Sequence, residues 1–115
     1  RENDALWRME GDGEQVLVGI LISTEHLTVG RVELLPGQHT GILTHGGDKS
    51  LYVTEGTLNV RLNDQPAPSW FELAPRDGFY LPQGTPHQLY NITDRPVRVI
   101  FGVAPTYLPE AANEP

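Results

Sequence analysis

A chain of 115 residues has the length of one domain, with room for a single core and little else. It holds no cysteine, which excludes disulfides, thiolate metal sites and thiol nucleophiles. Fifteen acidic side chains against eight basic ones leave a net charge of −7, which argues against nucleic acid or an anionic membrane as a partner.

Residues 1–13 are polar apart from Leu6, Trp7 and Met9. They read as an arm that packs through Trp7 or on a neighbouring subunit, with Gly11-Asp12-Gly13 as a turn. Val16–Ile22 is an unbroken apolar run, the pattern of a strand covered on both faces, and its second face is the expected contribution to a homodimer. Leu27–Leu35 alternates, Val32 and Leu34 on one face and Arg31 and Glu33 on the other, and Pro36-Gly37 turns it. His39–His45 follows as a strand up to the Gly46-Gly47-Asp48 turn. Leu51-Tyr52-Val53 leads to a turn at Glu55-Gly56. Thr57–Leu62 alternates cleanly, residues 63–68 form a loop, and Trp70–Leu73 is a short strand. Val97–Val103 closes the series after the Asp94-Arg95-Pro96 turn, and a Pro-, Ala- and Glu-rich tail follows. No segment keeps a 3.6-residue apolar period. About nine short strands with turns every eight to twelve residues indicate an all-β sandwich or barrel. No apolar run approaches the ~18 residues of a membrane span, no signal peptide is visible, and the cytoplasm is the expected location. The chain opens on Arg1 rather than Met, so either a trimmed chain or a domain cut from a longer protein is expected.

The stretch from Arg76 to Asn91 carries the strongest local signal. Phe79-Tyr80-Leu81 is a strand, Pro82 stops the ladder, Gly84 permits a left-handed backbone, and Pro86 holds Thr85 extended. That rigid turn delivers His87 as the first side chain of a new strand, with Leu89 and Asn91 on its face. His45 sits beside a second glycine turn, with enough chain between the two for strands to bring them together. His39 lies six residues before His45, roughly 20 Å along an extended strand, and reads as a rim or structural histidine. His26 reads as exposed.

These residues resemble the cupin superfamily. Its second motif is Gly, five residues, Pro-x-Gly, two residues, His, three residues, Asn; Pro82, Gly84, His87 and Asn91 fall in register, and Arg76 stands where the leading Gly is expected. Its first motif is Gly, five residues, His-x-His, three or four residues, Glu, six residues, Gly. Gly37, His45 and Gly56 keep the frame, whereas Leu43 stands at the first histidine and Lys49 at the glutamate. The chain is thus similar to a small single-domain cupin with an intact second motif and a degenerate first one. The resemblance implies a double-stranded β-helix, or jelly-roll, barrel over residues 27–103, preceded by an arm and edge strands over 1–26 and followed by a tail over 104–115.

The cupin metal set of three histidines and a carboxylate suits iron, manganese, nickel or zinc. Only His45 and His87 carry over, so the resemblance implies either no cofactor or a weakly held divalent Zn, Ni, Fe or Mn. Asp48 is a candidate third ligand whose strand parity is wrong. Two imidazoles with a lysine at a barrel mouth suit a small hydroxylated or carboxylated, sugar-like ligand. His45, Lys49, His87, Leu43, Tyr52, Phe79 and Trp70 are the candidate ligand contacts, with Tyr80 and Tyr90 nearby. The first expected function is therefore a small-molecule-binding domain with a degenerate metal site, an accessory or sensor part of a longer protein. Two enzymes are the alternatives. One is a metal-dependent dioxygenase, isomerase or lyase on His45 and His87. The other is a metal-free sugar epimerase or isomerase with His45 or His87 as base and Lys49 or Tyr52 as acid.

Overall fold

The computed structural model describes residues 6–10, 16–64, 66, 67 and 69–106. Nine strands occupy most of them: β1 (Leu6–Glu10), β2 (Val16–Ser23), β3 (Thr28–Leu34), β4 (Asp48–Glu55), β5 (Leu58–Leu62), β6 (Ser69–Leu73), β7 (Gly78–Leu81), β8 (His87–Tyr90) and β9 (Val97–Ala104). They form a six-stranded sheet, β1-β2-β3-β9-β4-β7, and a three-stranded sheet, β6-β5-β8. The pairing is antiparallel throughout. The crossed order, with β9 inserted between β3 and β4, is that of a jelly-roll barrel. None of the described residues lies in a helix, and so no helix among them is long and apolar enough to cross a membrane.

Alternation builds the core. On β3, Val32 and Leu34 are buried; on β9, Val97, Val99, Phe101 and Val103; on β5, Leu58 and Val60. These side chains meet in one cluster with Leu51, Val53, Leu81 and Leu89, which joins the inner faces of the two sheets. Arg31 and Glu33 take the opposite face, where Arg98 bonds both Glu33 and Glu55. Val16 and Val18 enter the core, Leu17 is half-buried and Ile22 is exposed, so β2 is covered on both faces only over its first half.

Three local expectations change. The expected arm contains an edge strand: Leu6–Glu10 pairs with Glu10 opposite Val16 and Leu6 opposite Ile20, which satisfies the backbone edge that β2 would otherwise expose. The packing of Trp7, the turn at residues 11–13 and the tail beyond residue 106 lie outside the described residues. The expected strand at His39–His45 is reduced to two isolated bridges, His39 to Tyr90 and Leu43 to His87. The strand expected at Leu51–Val53 starts three residues earlier, at Asp48.

Asn91 follows β8, at the opposite end of that strand from His87. It is fully buried, and its amide donates to the carbonyls of Leu34 and Arg95 while its oxygen accepts from Thr93. That pins the end of β3 to the turn before β9. The backbone follows the motif even where the residue does not. Gly37, Gly56 and Gly84 have φ of 84°, 81° and 78°, and Arg76, at the position where glycine was expected, has φ of 78°.

Candidate functional site

Strand parity decides which charged groups enter the barrel. On β4, Lys49, Leu51 and Val53 are buried, whereas Asp48, Ser50 and Tyr52 are exposed. Because the strand begins at Asp48, Lys49 shares its face with two core residues instead of standing on an exposed hairpin. His87 opens β8 directly after the proline–glycine turn. That turn is tied down by backbone bonds: the Gly84 N–H donates to the His45 carbonyl at 3.0 Å, and the Gln83 N–H to the Asp48 carboxylate at 2.9 Å. Leu43 and His87 exchange two further backbone bonds, of 2.7 and 3.0 Å. The main chain thus brings His45, Lys49 and His87 to one end of the barrel, with 6%, 3% and 1% of their surfaces exposed.

The ammonium is the centre of that group. Lys49 Nζ lies 3.1 Å from His45 Nε2 and 3.1 Å from His87 Nε2. The two rings are 5.7 Å apart, tilted by 48°. The His87 Nδ1–H donates to the Thr85 carbonyl at 2.9 Å. A carbonyl only accepts, so the proton is on Nδ1 and Nε2 presents its lone pair to Lys49. The Phe101 ring lies 5.5 Å from the same Nζ, close enough for a cation–π contact. Burial, and then the Lys49 charge, push the His87 imidazole down from 6.5 to about 3, with His45 lowering it further and the Thr85 carbonyl opposing the fall. His87 is therefore a neutral acceptor at ordinary pH. Lys49 is also the sole lysine of the sequence.

These residues do not fit a divalent metal. Both Nε2 lone pairs that would ligate one are spent on the ammonium, whose charge repels a second cation. No group of three histidine, aspartate, glutamate or cysteine side chains close enough to hold an ion exists among the described residues. Asp48 is exposed on the other face of β4, where it takes the Gln83 N–H and the Tyr80 hydroxyl; that hydrogen bond raises the Tyr80 pKa.

The remaining candidates divide. Leu43 is half-buried beside His87, and Phe79 faces inward, packed on the core and 5.2 Å from the Phe71 ring. Tyr52 and Trp70 do not join the group. Tyr52 is exposed on the outer face of the large sheet. Trp70 pairs in register with Arg61, and Arg61 with Gln88, a row on the face of the small sheet opposite His87. There Trp70 meets Tyr90 edge-on at 5.0 Å, and Tyr90 stacks on His39 at 4.7 Å. His39 thus belongs to an outer aromatic group, and its Nδ1 donates to the Thr40 carbonyl. His26 is exposed beside Glu25. Two residues that motif reading passes over belong to the site, Phe101 beneath the ammonium and Thr85 behind His87. The alternation of β9 was the signal for the first, and the Pro86-imposed extension of Thr85 for the second. A depression of about 480 Å³, lined by Leu62, Asp64, Pro66, Ala67 and Ser69, opens at the same end of the barrel; Leu62 is the register partner of His87.

The family model of the cupin domain matches residues 30–103, which span β3 to β9 and every residue of this group. The chain is a cupin. Among curated proteins it is 32% identical over 78 residues to the tetracenomycin polyketide synthase protein TcmJ of Streptomyces glaucescens, a match that covers 67% of this chain and 50% of that protein. The chain therefore spans about half the length of that relative. Among solved structures it resembles the cupin domain of Schizosaccharomyces pombe Cnp3, with a TM-score of 0.69 and 21% identity over 78% of this chain and 61% of that one. It also resembles an oxalate decarboxylase of B. subtilis, with a TM-score of 0.75 and 16% identity over 90% of this chain and 28% of that one. At these identities the structural likeness shows the shared fold. Within the cupin frame, the departures from the metal set are Leu43, which offers no donor atom, and Lys49, which stands between the two remaining histidines.

Proposed function

We propose that this cupin is a metal-independent small-molecule-binding domain, and that Lys49, His45 and His87 read a carboxylated or polyhydroxylated ligand at their end of the barrel. The observation that carries this reading is the Lys49 amine placed 3.1 Å from the Nε2 atoms of both His45 and His87. Both partners accept hydrogen bonds without cancelling its charge, which leaves the group suited to a ligand oxyanion. A polyketide acid falls in that class, and the 32% identical relative is by name a polyketide synthase protein. His87 held at about 3 is a poor general base near neutral pH, which weighs against the epimerase alternative.

The test is a thermal-shift screen of small monocarboxylates, dicarboxylates, sugar acids and neutral sugars against the wild type and Lys49→Met, a substitution close in shape and without charge. Expected are carboxylates that raise the wild-type Tm by several degrees and leave the variant unmoved, the signature of ligand binding to the native state. Equal shifts in both proteins, or no shift from any acid, would overturn the reading.

A further inference from the structure

We infer that the Lys49 ammonium is the cation this site is built to hold, a tethered occupant of the point on which the two imidazole lone pairs converge. Replacing it with a carboxylate then turns the same site into a transition-metal centre. The inference rests on the metal-independent reading above and adds the source of the positive charge.

The geometry is that of a cation site with its cation in place. His87 Nε2 is aimed by the bond from Nδ1 to the Thr85 carbonyl, and both Nε2 atoms lie at the same 3.1 Å from one nitrogen. Each is at hydrogen-bond length, against the ~2.1 Å of a metal–imidazole bond, so an ion at that point must first displace the amine. The amine cannot diffuse away, because position 49 is fixed in β4 between Leu81 of β7 and Val103 of β9. The Phe101 ring adds a further cation-favouring surface. The His87 ring is oriented by the bond from its Nδ1–H to the Thr85 carbonyl, and main-chain bonds fix the backbone at both histidines: Gly84 to His45, and Leu43 to His87. Both histidines therefore keep their backbone positions when the side chain at 49 changes. A glutamate there would give two imidazole nitrogens and a carboxylate, a donor set that suits first-row divalent ions. The charge that a metal would lend to a bound oxyanion is here covalently attached, so it depends on no metal supply and is not removed by chelators.

Wild type, Lys49→Glu and Lys49→Gln would be purified without a metal-affinity tag, treated with chelator, and dialysed against Co²⁺ or Zn²⁺. Metal content would be measured by mass spectrometry and cobalt coordination by visible absorption. The expected result is under about a tenth of an equivalent in the wild type. Lys49→Glu should bind about one equivalent of cobalt with visible d–d bands, lost on adding His87→Ala. If Lys49→Glu folds only when zinc is present, that dependence on metal supports the inference directly. If it does not fold at all, Lys49→Gln decides, with Zn²⁺ affinity expected at least about tenfold above the wild type. Stoichiometric metal in the wild type would overturn both this inference and the metal-independent reading. Folded variants that bind no more metal than the wild type would overturn this inference alone. Wild type that fails to bind carboxylates, beside a Lys49→Glu that takes up metal, would sink the ligand reading alone.

Discussion

The stretches 37–56 and 76–91 do the same work in opposite ways. In the first, the glycines of the family frame are kept, Gly37 and Gly56 both at positive φ, while the side chains that would ligate have become Leu43 and Lys49. In the second, His87 and Asn91 are kept, while the leading glycine has become Arg76 and the backbone still adopts φ of 78°. The difference separates two kinds of constraint. Backbone geometry is maintained in both stretches, at the expense of strain where the residue is wrong for it. Donor chemistry is maintained in one only. The fold therefore constrains the turns, and the occupants of the barrel end have changed within them.

The largest effect that would break this view comes from the first stretch. Gly56→Ala drives a Cβ into the Pro96 carbonyl oxygen at φ of 81°, whereas Gly37→Ala, at φ of 84°, meets nothing within 4 Å. Urea denaturation should show a loss of about 3 kcal/mol or more for Gly56→Ala and about 1 kcal/mol for Gly37→Ala. Equal losses would mean that φ alone sets the requirement.

The next effect comes from His87. Its folded pKa of about 3 lies below the unfolded 6.5. The unfolded chain therefore takes up the proton first as pH falls. The stability that neutral His87 represents is complete above 6.5 and is lost from there down towards 3, at about 1.4 kcal/mol per pH unit. Stability curves at pH 7 and pH 4.5 should differ less in His87→Gln than in the wild type. Identical pH dependence in the two proteins would remove the buried neutral imidazole from the account.

The smallest effect is Arg76→Gly. Arg76 is exposed and left-handed. Relief of its backbone strain, offset by the greater freedom of glycine in the unfolded chain, should raise stability by about 1 kcal/mol or less, read as a Tm shift of a few degrees. A destabilised variant would show that the arginine side chain contributes more than the φ angle costs.

Most of the fold was legible because the information lay in period and punctuation. Alternation in Thr57–Leu62 and Val97–Val103 placed their inner faces, and proline and glycine placed the turn before His87. Lys49 was legible as to position but not as to environment. The sequence placed it at the barrel mouth through the family frame; its near-complete burial follows from the strand beginning at Asp48, and that start is fixed by pairing to Ala104 across the sheet. The same parity turns Tyr52 outward. Trp70 was misplaced because β6 follows a loop and its face is set by register with Arg61. The edge strand at Leu6–Glu10 was illegible because its partner, β2, supplies the reason for it to exist.

The sole lysine of the chain has a practical consequence. Acylating reagents that seek ε-amines find one such group here, and it is almost wholly buried at the barrel end. Its labelling in the native protein can proceed only through openings of the barrel end, so the labelling rate measures how often that end opens. A molecule lodged there would slow the reaction in proportion to its occupancy. One residue thus gives the protein a built-in chemical clock for its own breathing.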